Sequence, residues 1–121
     1  MSRVNDLNNI LRSLQTATPD IEGCALISED GLVIASALPQ HVDEMRVAAM
    51  SSTLLSLGSR SASELDRGQL QQVLVKGDSG YAVMVSAAAG TLLLALTSKD
   101  AKLGLVFLDM SRACAQIQAV L

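Results

Sequence analysis

Tryptophan is absent from this chain of 121 residues, and tyrosine, phenylalanine and histidine occur once each. So few aromatics remove the stacking platforms on which single-stranded nucleic acids are held. They also argue against a small-molecule sensor, because ligand pockets are usually lined by aromatic side chains. Lysine and arginine total 9 against 12 acidic residues, and no basic block stands out. A nucleic-acid-binding face is therefore not expected. No apolar run approaches the roughly 20 residues of a membrane span. The first residues, Met-Ser-Arg-Val-Asn, are polar where a signal peptide would turn apolar, so a cytoplasmic location is expected. Two cysteines, Cys24 and Cys114, could in principle pair or share a metal, but each sits in an apolar stretch. Free buried thiols are expected in a reducing compartment.

What the chain has is aliphatic surface. Hydrophobic residues make up 50% and charged residues 17%. Its length suits one domain, 1–121, burying roughly two-thirds of its unfolded surface. The run from Met45 to Ser63 carries only Arg46 and Arg60 as charges. Wound at about 100° per residue, Arg46, Thr53, Arg60 and Glu64 gather into one narrow polar sector. Large residues (Val47, Met50, Leu54, Leu55, Leu57) and small ones fill the rest of the circumference. A helix apolar nearly all round has to be buried. One sheet covers one side, and a second copy of the same helix is the nearest supply of matching surface. An ordinary Ala/Leu/Val-heavy core is the plainer explanation of the composition; an obligate oligomer is the sharper one.

The order of elements follows from punctuation and period. Val4, Leu7, Ile10, Leu11 and Leu14 share one face of an opening helix that Pro19 stops. Cys24–Ile27 and Leu32–Ala35 flank Ser28-Glu29-Asp30-Gly31, and the Asp-Gly step predicts a tight hairpin turn. Gly23 marks a bulge or a close backbone approach. Pro39 breaks the second strand. Asp43 and Glu44 sit where a helix dipole favours negative charge, opening a helix from about Val42 to Leu65, with Gly68 as its carboxyl-terminal cap. Strands Leu70–Lys76, Tyr81–Ala87 and Thr91–Thr97 follow, joined by connections short enough to force antiparallel neighbours. Ser98 or Asp100 caps a last helix with Val106, Met110, Ala113, Ile117 and Val120 at helical spacing. The expected class is α+β: a five-stranded antiparallel sheet with helices on both faces, in the order αββαβββα.

Catalytic constellations are missing from the sequence. His41 has no second imidazole and reads as a solvated loop residue. There is no Gly-x-Ser-x-Gly elbow. Gly77-Asp78-Ser79-Gly80 lacks the lysine and following helix of a phosphate loop and reads as a hairpin turn. Glu29-Asp30 and Asp43-Glu44 are adjacent pairs suited to a turn and a helix start, more than to acid–base work. No metal-ligand spacing is present. We therefore expect no enzyme activity, no cofactor and no metal.

The element order, the stretch Ile21-Glu22-Gly23-Cys24 through Asp30-Gly31-Leu32-Val33-Ile34-Ala35, the helix Arg46-Val47-Ala48-Ala49-Met50 through Leu54-Leu55-Ser56-Leu57-Gly58, and Val73-Leu74-Val75-Lys76-Gly77 with Gly80-Tyr81 resemble the Roadblock/dynein light chain family, especially its bacterial MglB-type members. These are turns and packing positions, so the resemblance speaks to fold first. It implies a homodimer whose middle helices pack together and whose third strands, carrying Val73 and Val75, pair edge to edge. It further implies an adaptor, or a regulator of a small Ras-like GTPase, without chemistry of its own. On the helix, Val47, Met50, Leu54 and Leu57 are the expected self-contact. At about 1.5 kcal/mol for each of Met50, Leu54 and Leu57 and part of that for Val47, two copies give roughly 10 to 12 kcal/mol gross. Association itself costs about 4 to 15 kcal/mol, so strand pairing would be needed for a tight dimer. Gln71 and Gln72 suit a solvated edge equally well. Arg46, Thr53 and Arg60 form the expected partner-binding sector. An arginine finger that stabilises a hydrolytic transition state is the catalytic alternative for the arginines, and binding contacts are the better reading. The other function weighed is a structural adaptor subunit in a larger assembly that never meets a GTPase.

Overall fold

A computed structural model describes residues 2–121. Met1, the first residue of the expected 1–121 domain, lies outside the described residues. The elements are α1 (Arg3–Ala17), β1 (Ile21–Ser28), β2 (Val33–Ala37), α2 (Glu44–Glu64), β3 (Val73–Gly77), β4 (Gly80–Ala88), β5 (Thr91–Ser98) and α3 (Leu103–Val120). The five strands form one sheet in the order β2-β1-β5-β4-β3, with every pairing antiparallel. β5 lies at its centre, and Leu92, Leu93, Leu94 and Ala95 are all buried because both faces there are covered.

One face is covered by α1 and α3. Leu7, Leu11 and Leu14 of α1 and Val106, Met110, Ala113 and Ile117 of α3 pack with Cys24, Leu26, Val83 and Leu93. Ser2 caps α1 by accepting the Asn5 N–H at 3.1 Å. Val4 shares the apolar spacing of that helix but is 51% exposed. Thr18 donates to the Asp109 carboxylate, tying the end of α1 to α3. Cys24 donates its thiol hydrogen to the Leu11 carbonyl at 3.4 Å, and burial pushes its pKa up to about 12. Burial raises the Cys114 thiol as well, and both cysteines are free.

α2 lies on the opposite face over Ala25, Ile27, Met84, Leu92 and Leu94. The β1–β2 turn comes up against it. Gly31 has φ +86°, and a Cβ there would stand 3.1 Å from the Ser52 hydroxyl oxygen. Gly23 is both a bulge and a close approach: the β1–β5 register shifts beside it, and a Cβ would sit 2.7 Å from Pro39 Cδ.

Several boundaries differ from the sequence expectation, each for a local reason. α2 begins at Glu44 because Asp43 is its N-cap, accepting the Arg46 N–H at 3.2 Å. It ends at Glu64, before the expected Gly68. Asp66 takes the left-handed conformation at φ +56°, its N–H bonds the Ser63 carbonyl, and the Arg67 N–H bonds that of Ala62. That paired pattern is a Schellman ending with aspartate in the usual glycine position. β3 starts at Val73 rather than Leu70, because Leu70 turns inward beneath Gly58 of α2. Neither Ser98 nor Asp100 caps α3. Its N-cap is Lys102, whose backbone N–H donates to the Asp20 carboxylate at 3.2 Å.

Candidate protein-interaction site

α2 is the least covered of the three helices. Only Ala48 and Ser51 of its 21 residues are buried. Its two flanks meet different neighbours. Ala49 and Ser52 face the Gly31 turn, whereas Gly58 faces Leu70 and Val73. A Cβ at Gly58 would lie 2.9 Å from Val73 Cγ2, so glycine is what lets the helix settle beside β3. The large apolar flank of α2 therefore runs alongside the free edge of the sheet.

The expected self-contact residues fall into two groups. Val47, Leu54 and Val73 are half-buried and lean on the core beneath α2. Met50, Leu57 and Val75 stand clear of it, at 52%, 57% and 43% exposure. Pairing Val73 with Met84 and Val75 with Ala82 puts both valines on the α2 side of the sheet. β3 has a neighbour on one side only, so its outer edge is unpaired. Leu74, exposed on the opposite face of β3, adds to the uncovered apolar surface at this edge, whereas Met45, also exposed, lies on the other flank of α2 in line with Ala49 and Ser52. Neither stood out in the sequence, where a short apolar strand does not reveal which face has a helix over it.

Arg46, Thr53 and Arg60 are all exposed, on the side of α2 turned away from the sheet. The Thr53 hydroxyl donates to the Ala49 carbonyl at 2.9 Å. Arg60 Nε lies 3.2 Å from Glu64 across one turn, a pair open to solvent on both sides. Arg67, in the loop after α2, donates from Nε to the Leu65 carbonyl at 2.8 Å. His41 is exposed between β2 and α2. Gly77-Asp78-Ser79-Gly80 is a two-residue hairpin with Gly77 paired to Gly80, and a Cβ at Gly80 would overlap the Thr97 carbonyl oxygen. Among the described residues no group of three or more His, Cys, Asp or Glu is placed to hold a metal ion. No helix among them is long and apolar enough to cross a membrane.

A groove of about 850 Å³ opens where the second half of α2 lifts from the β4–β5 hairpin. Leu55, Leu70 and Leu92 floor it, Ser59 and Ser63 line the helix wall, and Glu29 and Asp66 stand at its rim. This groove has no sequence signature, because its walls come from four separate segments.

Comparison with known proteins agrees with this architecture. The chain is 40% identical over 103 residues to the protein MJ1340 of Methanocaldococcus jannaschii, covering 85% of this chain and 90% of that one. The Roadblock/LC7 domain from Streptomyces avermitilis superposes with a TM-score of 0.87 at 26% identity, over 93% of this chain and 94% of that one. Myxococcus xanthus MglB superposes with a TM-score of 0.88 over 100% of this chain and 94% of that one, at 16% identity, a likeness of fold. Residues 7–97 match the sequence profile of the Roadblock/LC7 domain, and the chain belongs to that family.

Proposed function

We propose that this chain is a single Roadblock domain that works in the cytoplasm as a non-enzymatic homodimer, regulating or scaffolding a small Ras-like GTPase. The observation that carries the reading is the helix α2: it is buried at only two residues, and its large apolar flank of Val47, Met50, Leu54 and Leu57 runs beside an unpaired edge strand. Val47, Met50, Leu54 and Leu57 meet the same residues of a second copy, and the β3 edges with Val73 and Val75 pair alongside. Leu74 and Val75 add apolar area that helix contact alone lacks, which relieves the narrow energetic margin of the helices by themselves. Arg46, Thr53 and Arg60 then remain on the outer surface of the paired helices and form the docking sector for the GTPase. Likeness of fold to MglB and the family resemblance support the choice of partner.

The test is a pull-down of candidate Ras-like GTPases, loaded with a GTP analogue or with GDP, using wild type and the Arg46→Glu/Arg60→Glu double variant. Binding by wild type, weakened in the double variant with the oligomer unchanged, is the expected result. Reversing charge on a docking surface acts chiefly on encounter rate and specificity. Binding indifferent to both substitutions removes this sector from the site. Absence of binding in either nucleotide state favours the structural adaptor.

A further inference from the structure

The groove beneath the second half of α2 belongs to the flank of that helix which the α2–β3 contact does not use. At helical spacing Ser59 and Ser63 lie on the opposite side of α2 from Met50 and Leu57. A second copy packed on those two residues therefore leaves the groove open. Its floor is aliphatic: Leu92 is buried, and Leu55 and Leu70 are half-buried. Both charged residues in its lining, Glu29 and Asp66, are acidic.

Each of these carboxylates stands on pinned backbone. The Glu29 N–H donates to the Gly90 carbonyl at 2.9 Å, which ties the β1–β2 turn to the β4–β5 hairpin. A Cβ at Gly90 would meet the Glu29 carboxyl carbon at 3.9 Å, so the glutamate side chain lies along the hairpin beside the groove. Asp66 is fixed by the Schellman ending of α2. Among the described residues the ion pairs are Arg60–Glu64 and Arg112–Asp109, and neither Glu29 nor Asp66 has a basic partner. Two negative groups from separate segments thus flank one apolar trough with no cation between them.

A lysine or arginine side chain matches that arrangement. Such a side chain lays its aliphatic stem along apolar surface while its charged head stays at the solvent boundary. Here the stem lies over Leu55 and Leu70, and the head reaches a rim carboxylate, which a guanidinium can bind through two hydrogen bonds. The hydroxyls of Ser59 and Ser63 offer acceptors to backbone N–H groups along the helix wall. A small organic cation is the poorer match, because no aromatic side chain lines the groove.

We propose that this groove is a docking site for a linear segment of a partner protein in which basic side chains flank aliphatic ones. It is separate from the sector of Arg46, Thr53 and Arg60, which is turned away from the sheet.

Amide NMR spectra of the protein, titrated to millimolar peptide, test this. The probes are synthetic peptides centred on Arg-Leu-Arg, Arg-Leu-Leu-Arg or Arg-Leu-Leu-Leu-Arg, with glutamate in place of arginine as controls. At least one arginine peptide should give saturable shifts at Glu29, Ser59, Ser63 and Gly90, and the glutamate peptides should give none. Glu29→Gln and Asp66→Asn should each weaken binding by up to about fivefold, and the double variant by about tenfold, as solvent-open ion pairs are individually modest. Both substitutions keep side-chain size, and asparagine accepts the left-handed conformation, so unchanged circular dichroism is expected. The proposal is overturned if no arginine peptide shifts the groove, if the glutamate peptides shift it equally, or if the double variant binds as wild type does. Arginine amide that binds as tightly as the peptides would make this a small-cation site, and groove shifts on diluting peptide-free protein would make a second copy the occupant. Either result also overturns it.

Discussion

Replacing Gly31 with valine should lower stability by about 2 kcal/mol, and the structure supplies each part of that figure. At φ +86° a residue with a side chain pays roughly 1 to 2 kcal/mol, and a β-branched one lies at the upper end. The added Cβ would meet Ser52 Oγ at 3.1 Å and Ala49 Cα at 3.5 Å. Ser52 already donates to the Ala49 carbonyl, so it cannot move aside without breaking that bond. Against these costs stands the smaller conformational freedom of valine in the unfolded chain, about 0.4 to 1 kcal/mol. For a domain of this length, about 2 kcal/mol corresponds to a fall in Tm of roughly 8 °C. Thermal denaturation followed by circular dichroism, at equal protein concentration because oligomers melt by mass action, measures it. Gly31→Ala should show a smaller loss, and Gly31→Ala with Ser52→Gly should separate the steric part from the backbone part. A Tm within about 1 °C of wild type for Gly31→Val would refute both the left-handed turn and its contact with α2.

Asp66 occupies a left-handed position that glycine fills without steric cost, so Asp66→Gly should raise stability by up to about 1 kcal/mol, read from urea midpoints at constant slope. Breaking the solvent-open Arg60–Glu64 pair with Arg60→Ala should change stability by no more than about 1 kcal/mol in the same assay, so loss of GTPase binding in arginine variants reports on docking. Cys24 has its thiol pushed up to about 12 from an ordinary 9.0, and the folded state therefore opposes its ionisation. Its stabilising effect is complete below about pH 9 and is lost as pH rises from there towards 12. Native protein at pH 8 should leave Cys24 unmodified by a thiol reagent over the time in which urea-unfolded protein reacts fully.

Features written in adjacent residues were legible in the sequence. Asp30-Gly31 and the Gly77–Gly80 segment encode their turns in side-chain chemistry, and both turns stand where that chemistry put them. The apolar flank of α2 was legible for the same reason, since helical spacing alone arranges it. Order within the sheet was not, because β1 beside β5 joins segments about 70 residues apart through backbone bonds that carry no residue signature. The start of α3 was misplaced because its backbone is held by Asp20, from the corner between α1 and β1, rather than by a nearby Ser98 or Asp100. Leu70 read as strand because it is apolar and precedes Val73, whereas the niche at Gly58 draws it under the helix. Exposure at Met50, Leu57 and Val75 could be read only once the sheet had been given an edge.

The central claim is that α2 and the β3 edge meet a second copy. Light scattering of the wild-type protein at about ten micromolar measures that contact directly. The account predicts a mass of two chains, falling to one when Leu54→Asp is added. A single chain in the wild-type protein, or two chains that persist after Leu54→Asp, would contradict it.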